Sequence, residues 1–161
     1  MKKSRTKDGF TLVELLATLL IVSLLGIIVT TGTSAAIRIY NESLDVSESG
    51  RLTNILTTAL SDRLRWAHSP LTDSNGTVLS FTDDEGGSGS LLALDGNGMF
   101  TLNGVSFLPP EVYVRGLKAA LHSGSSLLTY TDGVFTVDFD IQNNAGTIIK
   151  QITLKVKCIN S

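Results

Sequence analysis

The chain has 161 residues, with 13 Lys and Arg against 15 Asp and Glu, and a formal net charge of −2 at pH 7. This length allows one small domain plus one further segment, and the slightly acidic balance argues against a general nucleic-acid-binding surface, which would be basic. The single cysteine, Cys158, excludes an intrachain disulfide. We predict that it is a small hydrophobe on the last strand rather than an intermolecular bridge.

The first predicted element is a long apolar helix over residues 10–37. It contains one acid, Glu14, and no further charge before Arg38, and the basic residues in front of it are Lys2, Lys3, Arg5 and Lys7. A helix needs about 20 residues to cross the hydrocarbon core of a membrane, so this segment is long enough to span it. Because the basic residues precede the span, we expect the N-terminus in the cytoplasm and the rest of the chain outside.

Two other interpretations of this segment are open. A secretory signal peptide has an apolar core of about 7–15 residues followed by a small-residue cleavage site; residues 33–36 (TSAA) could mimic that site, but the segment is longer and has an acid near its start. A plain single-pass anchor would make Glu14 an interfacial acid. A charge at the centre of a membrane helix costs about 2.5–3.5 kcal/mol on insertion scales, so an acid in a span is expected to have a function.

Residues 9–16 read GFTLVELL. With the short basic leader and the uninterrupted apolar helix, this order resembles the class III signal and N-terminal helix of type IV pilins and pseudopilins. The resemblance implies that a membrane-embedded prepilin peptidase cuts between Gly9 and Phe10 and methylates the new N-terminus at Phe10. It also implies that Glu14, the fifth residue of the processed chain, meets the terminal amine of a neighbouring subunit and sets the register between subunits.

Two features depart from the family pattern. Asp8 stands where the family more often has Lys or Arg, and no proline occurs before Pro70, whereas many major pilins have one near the middle of this helix. The missing proline favours a minor pilin or pseudopilin, and the missing disulfide favours a Gram-positive or clostridial source or a pseudopilin. Removal of residues 1–9 would leave 9 basic and 14 acidic residues, a formal balance of −5.

Helical spacing continues past the span but becomes amphipathic. The pattern predicts one helix over residues 10–67, ended by the sequence His68-Ser69-Pro70. We therefore divide the chain into a leader (1–9), a transmembrane or filament-core helix (10–37), an amphipathic continuation (38–68) and a β-rich head (69–161). Apolar positions of the continuation are Ile37, Tyr40, Leu44, Leu52, Ile55 or Leu56, Ala59 or Leu60, and Leu64.

The head is predicted to be a small antiparallel sheet that packs against the helix, which gives an α+β, pilin-like fold. Asp132-Gly133 predicts a two-residue hairpin, residues 143–146 (NNAG) a second turn, and Lys150-Gln151 a bulge. The ambiguous segment 112–122, after Pro109-Pro110, is assigned to a strand. The other predicted strands are 77–82, 91–94, 98–102, 105–108, 127–131, 134–141 and 147–159.

Candidate chemistry in the head is weak. Three loops rich in Asp and Asn, at residues 73–76, 83–85 and 95–98, could bind calcium, but none matches the twelve-residue calcium loop, and solvated turns are favoured. The two histidines, His68 and His122, belong to no catalytic or zinc-binding pattern. The sequence therefore predicts no enzyme, no cofactor and no metal.

The predicted function is that of a structural subunit, a minor pilin or pseudopilin, in a type IV pilus or a related secretion or competence filament. The resemblance implies other pilin subunits, prepilin peptidase, an assembly platform protein and an ATPase as partners. It also places the chain in the cytoplasmic membrane and then in a surface or periplasmic filament. The alternatives are a membrane-anchored receptor that is never processed, an adhesive or DNA-uptake tip subunit, and a prepilin peptidase substrate with a ligand-binding head. Candidate basic residues for such a tip are Arg115, Lys118, Lys150, Lys155 and Lys157.

Overall fold

The structure, a computed structural model, describes residues 11–83 and 87–159, and in them it contains one α-helix, α1 (Leu12–Arg65). Two 3-10 turns, Pro110–Val112 and Val114–Gly116, precede the sixth of nine strands. The strands are β1 (His68–Thr72), β2 (Val78–Thr82), β3 (Leu92–Leu94), β4 (Phe100–Leu102), β5 (Val105–Ser106), β6 (Lys118–Leu121), β7 (Leu128–Thr131), β8 (Val134–Gln142) and β9 (Ile148–Lys157). The predicted α+β, pilin-like fold class is confirmed.

Contacts divide the chain into two units between Glu42 and Ser43. In the second unit, leucines four residues apart place one stripe of α1 in the core. The other side of this core comes from alternate residues of β8, which point to one face of the strand. The members of the two rows, each at most 1% exposed, are Leu52, Leu56, Leu60 and Leu64 on α1 and Phe135, Val137, Phe139 and Ile141 on β8. Burial of each such side chain contributes about 1.5–3 kcal/mol.

The strands form three antiparallel sheets. The largest has four strands and is centred on β8, which pairs with β9 along one edge and with β6 and β7 at the two ends of the other edge. The second sheet is β1–β2, and the third has the order β3-β4-β5. The β8 strand is therefore central both to the pairing and to the core.

Aromatic contacts from β8 reach the two smaller sheets. The ring of Phe135 lies edge-to-face with Phe81 of β2 at 5.9 Å between centroids, and Phe139 lies edge-to-face with Phe100 of β4 at 5.0 Å. Such pairs add about 0.5–1.5 kcal/mol beyond the area that they bury. These contacts attach the short sheets, which could not be stable alone.

Several predicted elements are confirmed and several are corrected. Asp132 and Gly133, at φ 51° and 80°, form the predicted two-residue hairpin between β7 and β8. The predicted strand at 112–122 is wrong for its first half, because the positive φ values of Arg115 (55°) and Gly116 (68°) belong to the 3-10 segment and delay β6 until Lys118. Strand β1 was not predicted.

Two boundaries also move. The helix ends at Arg65 instead of residue 67, and β1 begins at His68, with Ser69 inside that strand at φ 52°. The register irregularity in β9 lies between Lys150 and Ile148, opposite Ile141 and Gln142, and not at the predicted Lys150-Gln151 step. The start predicted at Phe10 falls outside the described residues.

Candidate functional site

The start of α1 carries the predicted assembly residue. Thr11 precedes the helix, its carbonyl accepts a hydrogen bond from the amide of Leu15 (3.1 Å), and its Oγ1 accepts one from the amide of Glu14 (3.3 Å). Thr11 is therefore an N-cap, and Glu14 occupies the third helical position, where the helix dipole favours a negative charge. This cap is not among the sequence predictions, although the spacing Thr-x-x-Glu is a sequence signature for one.

The carboxylate of Glu14 makes no polar contact with the described residues. Among the residues that the structure describes, it forms no hydrogen bond or ion pair, and the residue is exposed. Gly9 and Phe10, the predicted cleavage and methylation residues, lie outside the described residues. Of the three predicted site residues, Gly9, Phe10 and Glu14, the structure therefore describes Glu14.

The apolar part of α1 is exposed on every side. Each residue from 11 to 42 is exposed, and the large apolar side chains from Leu12 to Val29 are between 52 and 77% exposed. Within the described part of the chain, α1 is one helix long and apolar enough to cross a membrane, by length and composition. A helix that is apolar all round needs lipid or other apolar helices around it.

Hydroxyl groups in this segment are satisfied by the helix itself. Thr18, Ser23 and Thr33, for example, donate to carbonyls three or four residues earlier at 2.8–2.9 Å. Thr30, Thr31 and Ser34 bond backward in the same way. Such bonds remove the cost of placing a hydroxyl donor in hydrocarbon, so these residues are compatible with a span.

Comparison with known proteins identifies a family motif at the start of the chain. The family described as the prokaryotic N-terminal methylation motif matches residues 4–30. The chain carries the N-terminal signature of the type IV prepilins. The prepilin signature supports a pilin-like protein that is processed by prepilin peptidase and anchored in a membrane. No curated protein and no solved structure matches the chain.

The acidic loops use their carboxylates for backbone turns. Asp73 Oδ1 accepts from the amides of Asn75 and Thr77 at 2.9 and 2.8 Å, and Asp95 Oδ1 accepts from Asn97 and Met99 at 2.9 and 2.7 Å. Asn143, which has no charge, makes the same pair of bonds at 3.0 Å each. Because the uncharged amide of Asn143 accepts the same hydrogen bonds as the two carboxylates, stabilisation of the turn is sufficient to explain Asp73 and Asp95. Residues 84 and 85 of the remaining loop are not described.

The candidate basic residues of a tip surface occupy different places. Arg115 donates from Nε to Oδ1 of Asp45 at 2.9 Å. Lys155 and Lys157 line a groove of about 300 Å³ with Arg65, while Lys118 lines a different cleft. The structure therefore does not assemble these candidates into one patch.

The structure also shows the surroundings of His122 and Cys158, which the sequence does not specify. His122 Nδ1 lies 2.9 Å from Oδ1 of the buried Asp140, a pairing across β6 and β8 that was not predicted. Cys158 is buried against the core, as predicted, but it follows the end of β9 instead of lying on that strand; burial raises the pKa of its thiol. Neither residue lies in a group of three or more metal-ligating side chains within the described residues.

Proposed function

We propose that this protein is a subunit, a minor pilin or pseudopilin, of a type IV pilus or a related secretion or competence filament. The observation that carries the proposal is the prepilin signature at residues 4–30 on a helix whose apolar surface is exposed on every side. The helix is first a membrane anchor and later part of an apolar bundle. Because both surroundings are apolar, transfer from lipid to filament has no large hydrophobic cost.

Processing comes first in this proposal. Prepilin peptidase cuts between Gly9 and Phe10, on the cytoplasmic side, and methylates Phe10. Glycine suits this position because an extended chain without a side chain fits a narrow cleft. Cleavage also removes the basic leader and leaves one amine at the end of an apolar helix.

Glu14 then aligns neighbouring subunits. Its carboxylate has no partner among the described residues, and its own amide is already capped by Thr11, so the carboxylate remains available to the amine of Phe10 on another subunit. An ion pair in an apolar bundle contributes little net stability, but an unpaired charge there is strongly unfavourable. The pair therefore selects the register in which both charges are matched.

Small residues on the span support helix packing. A Cβ placed at Gly26 or Gly32 would have no neighbour within 4 Å, so neither glycine is required by packing inside the described chain. Glycines of this kind let a second helix approach closely. The helix also continues without a break from Leu12 to Arg65, which agrees with the missing proline and supports a minor subunit or pseudopilin.

The remaining partners follow from the class of filament. A platform protein and an ATPase would extract the processed subunit from the membrane, and other pilin subunits would surround its helix. The rival function is a single-pass receptor whose leader is never cut. It explains the apolar helix but leaves the prepilin signature without a role.

The deciding experiment is the intact mass and N-terminal sequence of the protein from membranes and from sheared filaments of its native host. We expect a chain that starts at N-methylated Phe10 and is present in both fractions. A chain that starts at Met1 in a host with active prepilin peptidase would support the receptor. A Gly9→Val variant should stay uncut, whereas Asp8→Lys, which restores the commoner family residue, should be cut at least as fast as the natural chain.

A further inference from the structure

A cleft of about 470 Å³ lies in the β-rich unit, residues 43–161. Its walls come from three segments that are distant in the sequence: the turn between β3 and β4, the 3-10 segment before β6, and the turn between β8 and β9. Each segment contributes a polar or aromatic side chain. These are Asn97, Tyr113 and Asn144, and Lys118, the first residue of β6, adds an ammonium group.

Two glycines let these segments approach each other. At Gly98, a Cβ would lie 2.4 Å from the carbonyl oxygen of Ala119 in β6. At Gly116, a Cβ would lie 2.1 Å from the side-chain nitrogen of Asn144. Both have positive φ values, 73° and 68°, which glycine adopts without strain. The approach of the turn between β3 and β4 to β6 thus depends on Gly98, where a side chain would meet the backbone of Ala119, whereas at Gly116 the neighbour is the movable side chain of Asn144.

The cleft wall at Tyr113 is held in place from two sides. Its hydroxyl accepts a hydrogen bond from the amide of Phe100 at 3.1 Å, and the neighbouring Arg115 is bonded to Asp45 of α1. A ligand would therefore meet a preformed surface and would not have to order it.

Apart from the Tyr113 hydroxyl, three polar side chains of the cleft have no hydrogen-bond partner in the described part of the chain. Within the described residues, the side chains of Asn97, Lys118 and Asn144 form no hydrogen bond or ion pair. Two amides, each able to donate and accept, flank one ammonium group. Asp95, whose carboxylate caps the turn, also acts electrostatically on Tyr113 in the cleft wall, so the one ammonium group of Lys118 suits a single carboxylate better than a doubly charged phosphate.

We propose that this cleft binds an acidic sugar residue, a uronic acid, in an extracellular saccharide. The amides of Asn97 and Asn144 pair with ring hydroxyls, the ammonium of Lys118 pairs with the carboxylate, and the ring of Tyr113 packs against the apolar face of the sugar. This binding role goes beyond that of a filament subunit, and it requires neither cleavage at Gly9 nor assembly.

The test uses the full chain, purified in a zwitterionic detergent without a sugar headgroup, and a fluorescently labelled tetragalacturonate in a binding titration. We expect saturable binding that Lys118→Met and Asn144→Ala each weaken by about tenfold or more, because each removes a hydrogen bond or ion pair to the ligand. Lys150→Met removes an exposed lysine of β9 outside this cleft and should leave the affinity unchanged. Circular dichroism of each variant checks the fold.

Competition identifies the recognised chemistry. Unlabelled tetragalacturonate should displace the probe, while maltotetraose, which has no carboxylate, and inorganic phosphate should displace it at least about tenfold less well. The proposal is overturned by no saturable binding, by equal affinity in the natural chain and in Lys118→Met, or by phosphate that competes as well as the saccharide.

Discussion

Arg115 donates a hydrogen bond from Nε to Oδ1 of Asp45 at 2.9 Å, and so attaches the 3-10 segment before β6 to helix α1. The two residues are far apart in the sequence, and Arg115 makes the contact from a left-handed backbone conformation at φ 55°. Such a conformation costs a non-glycine residue about 1–2 kcal/mol. The guanidinium of Arg115 thus contacts the helix from a backbone conformation that is strained for a non-glycine residue.

A double-mutant cycle on this pair should show modest coupling. Both side chains are partly exposed, so Arg115→Ala, Asp45→Ala and the double variant should give a coupling energy of about 0.2–1 kcal/mol in urea unfolding of the detergent-solubilised chain. Arg115→Gly loses the same ion pair but relieves the backbone, and it should be about 1 kcal/mol more stable than Arg115→Ala. Equal stability of those two variants would mean that the φ value carries no strain.

Loss of the Glu14 carboxylate should stop assembly without stopping insertion. We expect Glu14→Ala and Glu14→Gln to reach the membrane and to be cut between Gly9 and Phe10, but to be strongly depleted from sheared filaments, as quantified by immunoblot. Glu42→Ala is the matched control, because Glu42 is an exposed acid of the same helix that already pairs with Arg38. Normal filament levels of Glu14→Ala would contradict the role in subunit register.

The N-cap at Thr11 should control fraying of the first turn. Thr11→Val keeps the size of the side chain but removes the acceptor for the Glu14 amide, which is worth about 1 kcal/mol of helix stability. Hydrogen exchange of that amide in micelles should therefore be about fivefold faster. Thr11→Ser retains the hydroxyl and should exchange at the natural rate; equal rates in all three chains would exclude the cap.

Replacement of Asp95 by asparagine should preserve the stability of the head, whereas replacement by alanine should lower it. Asp95→Asn keeps the acceptor for the amides of Asn97 and Met99, as Asn143 does in its own turn, and should change the unfolding free energy by less than about 0.5 kcal/mol. Asp95→Ala leaves two amides without that acceptor and should cost about 1–2 kcal/mol. Added calcium should not raise the melting temperature of the natural chain; a rise that Asp95→Asn abolishes would reveal a metal site instead.

Cys158 should react slowly with alkylating reagents. Its pKa is raised by burial, so at pH 8 less thiolate is present than in a free cysteine, and the core also limits access. Iodoacetamide labelling followed by mass spectrometry should show slow modification that approaches the free-thiol rate in urea. Native labelling as fast as that of a free thiol would mean that the C-terminal segment opens readily.

Local patterns predicted the parts of the head that depend on neighbouring residues. The hairpin at Asp132-Gly133 follows from turn chemistry, and the inward residues of β9 follow from alternation. Strand β1 could not be found in this way, because it is short and contains Pro70, and it exists through pairing with β2. The sequence predicts a strand before β6 because local residues do not show the positive φ values of Arg115 and Gly116 or the contact of Arg115 with the distant Asp45.

The sequence by itself determined that the chain carries a prepilin-type signature on a helix long and apolar enough to cross a membrane. The prepilin signature and Glu14 lie within one continuous stretch of sequence, on the apolar helix. They can be recognised from the order of neighbouring residues and from the preference of apolar side chains for hydrocarbon over water. Only the tertiary structure decided which head residues meet. The division into three sheets, the His122–Asp140 pair and the cleft around Lys118 come from contacts between distant segments, which local composition cannot specify.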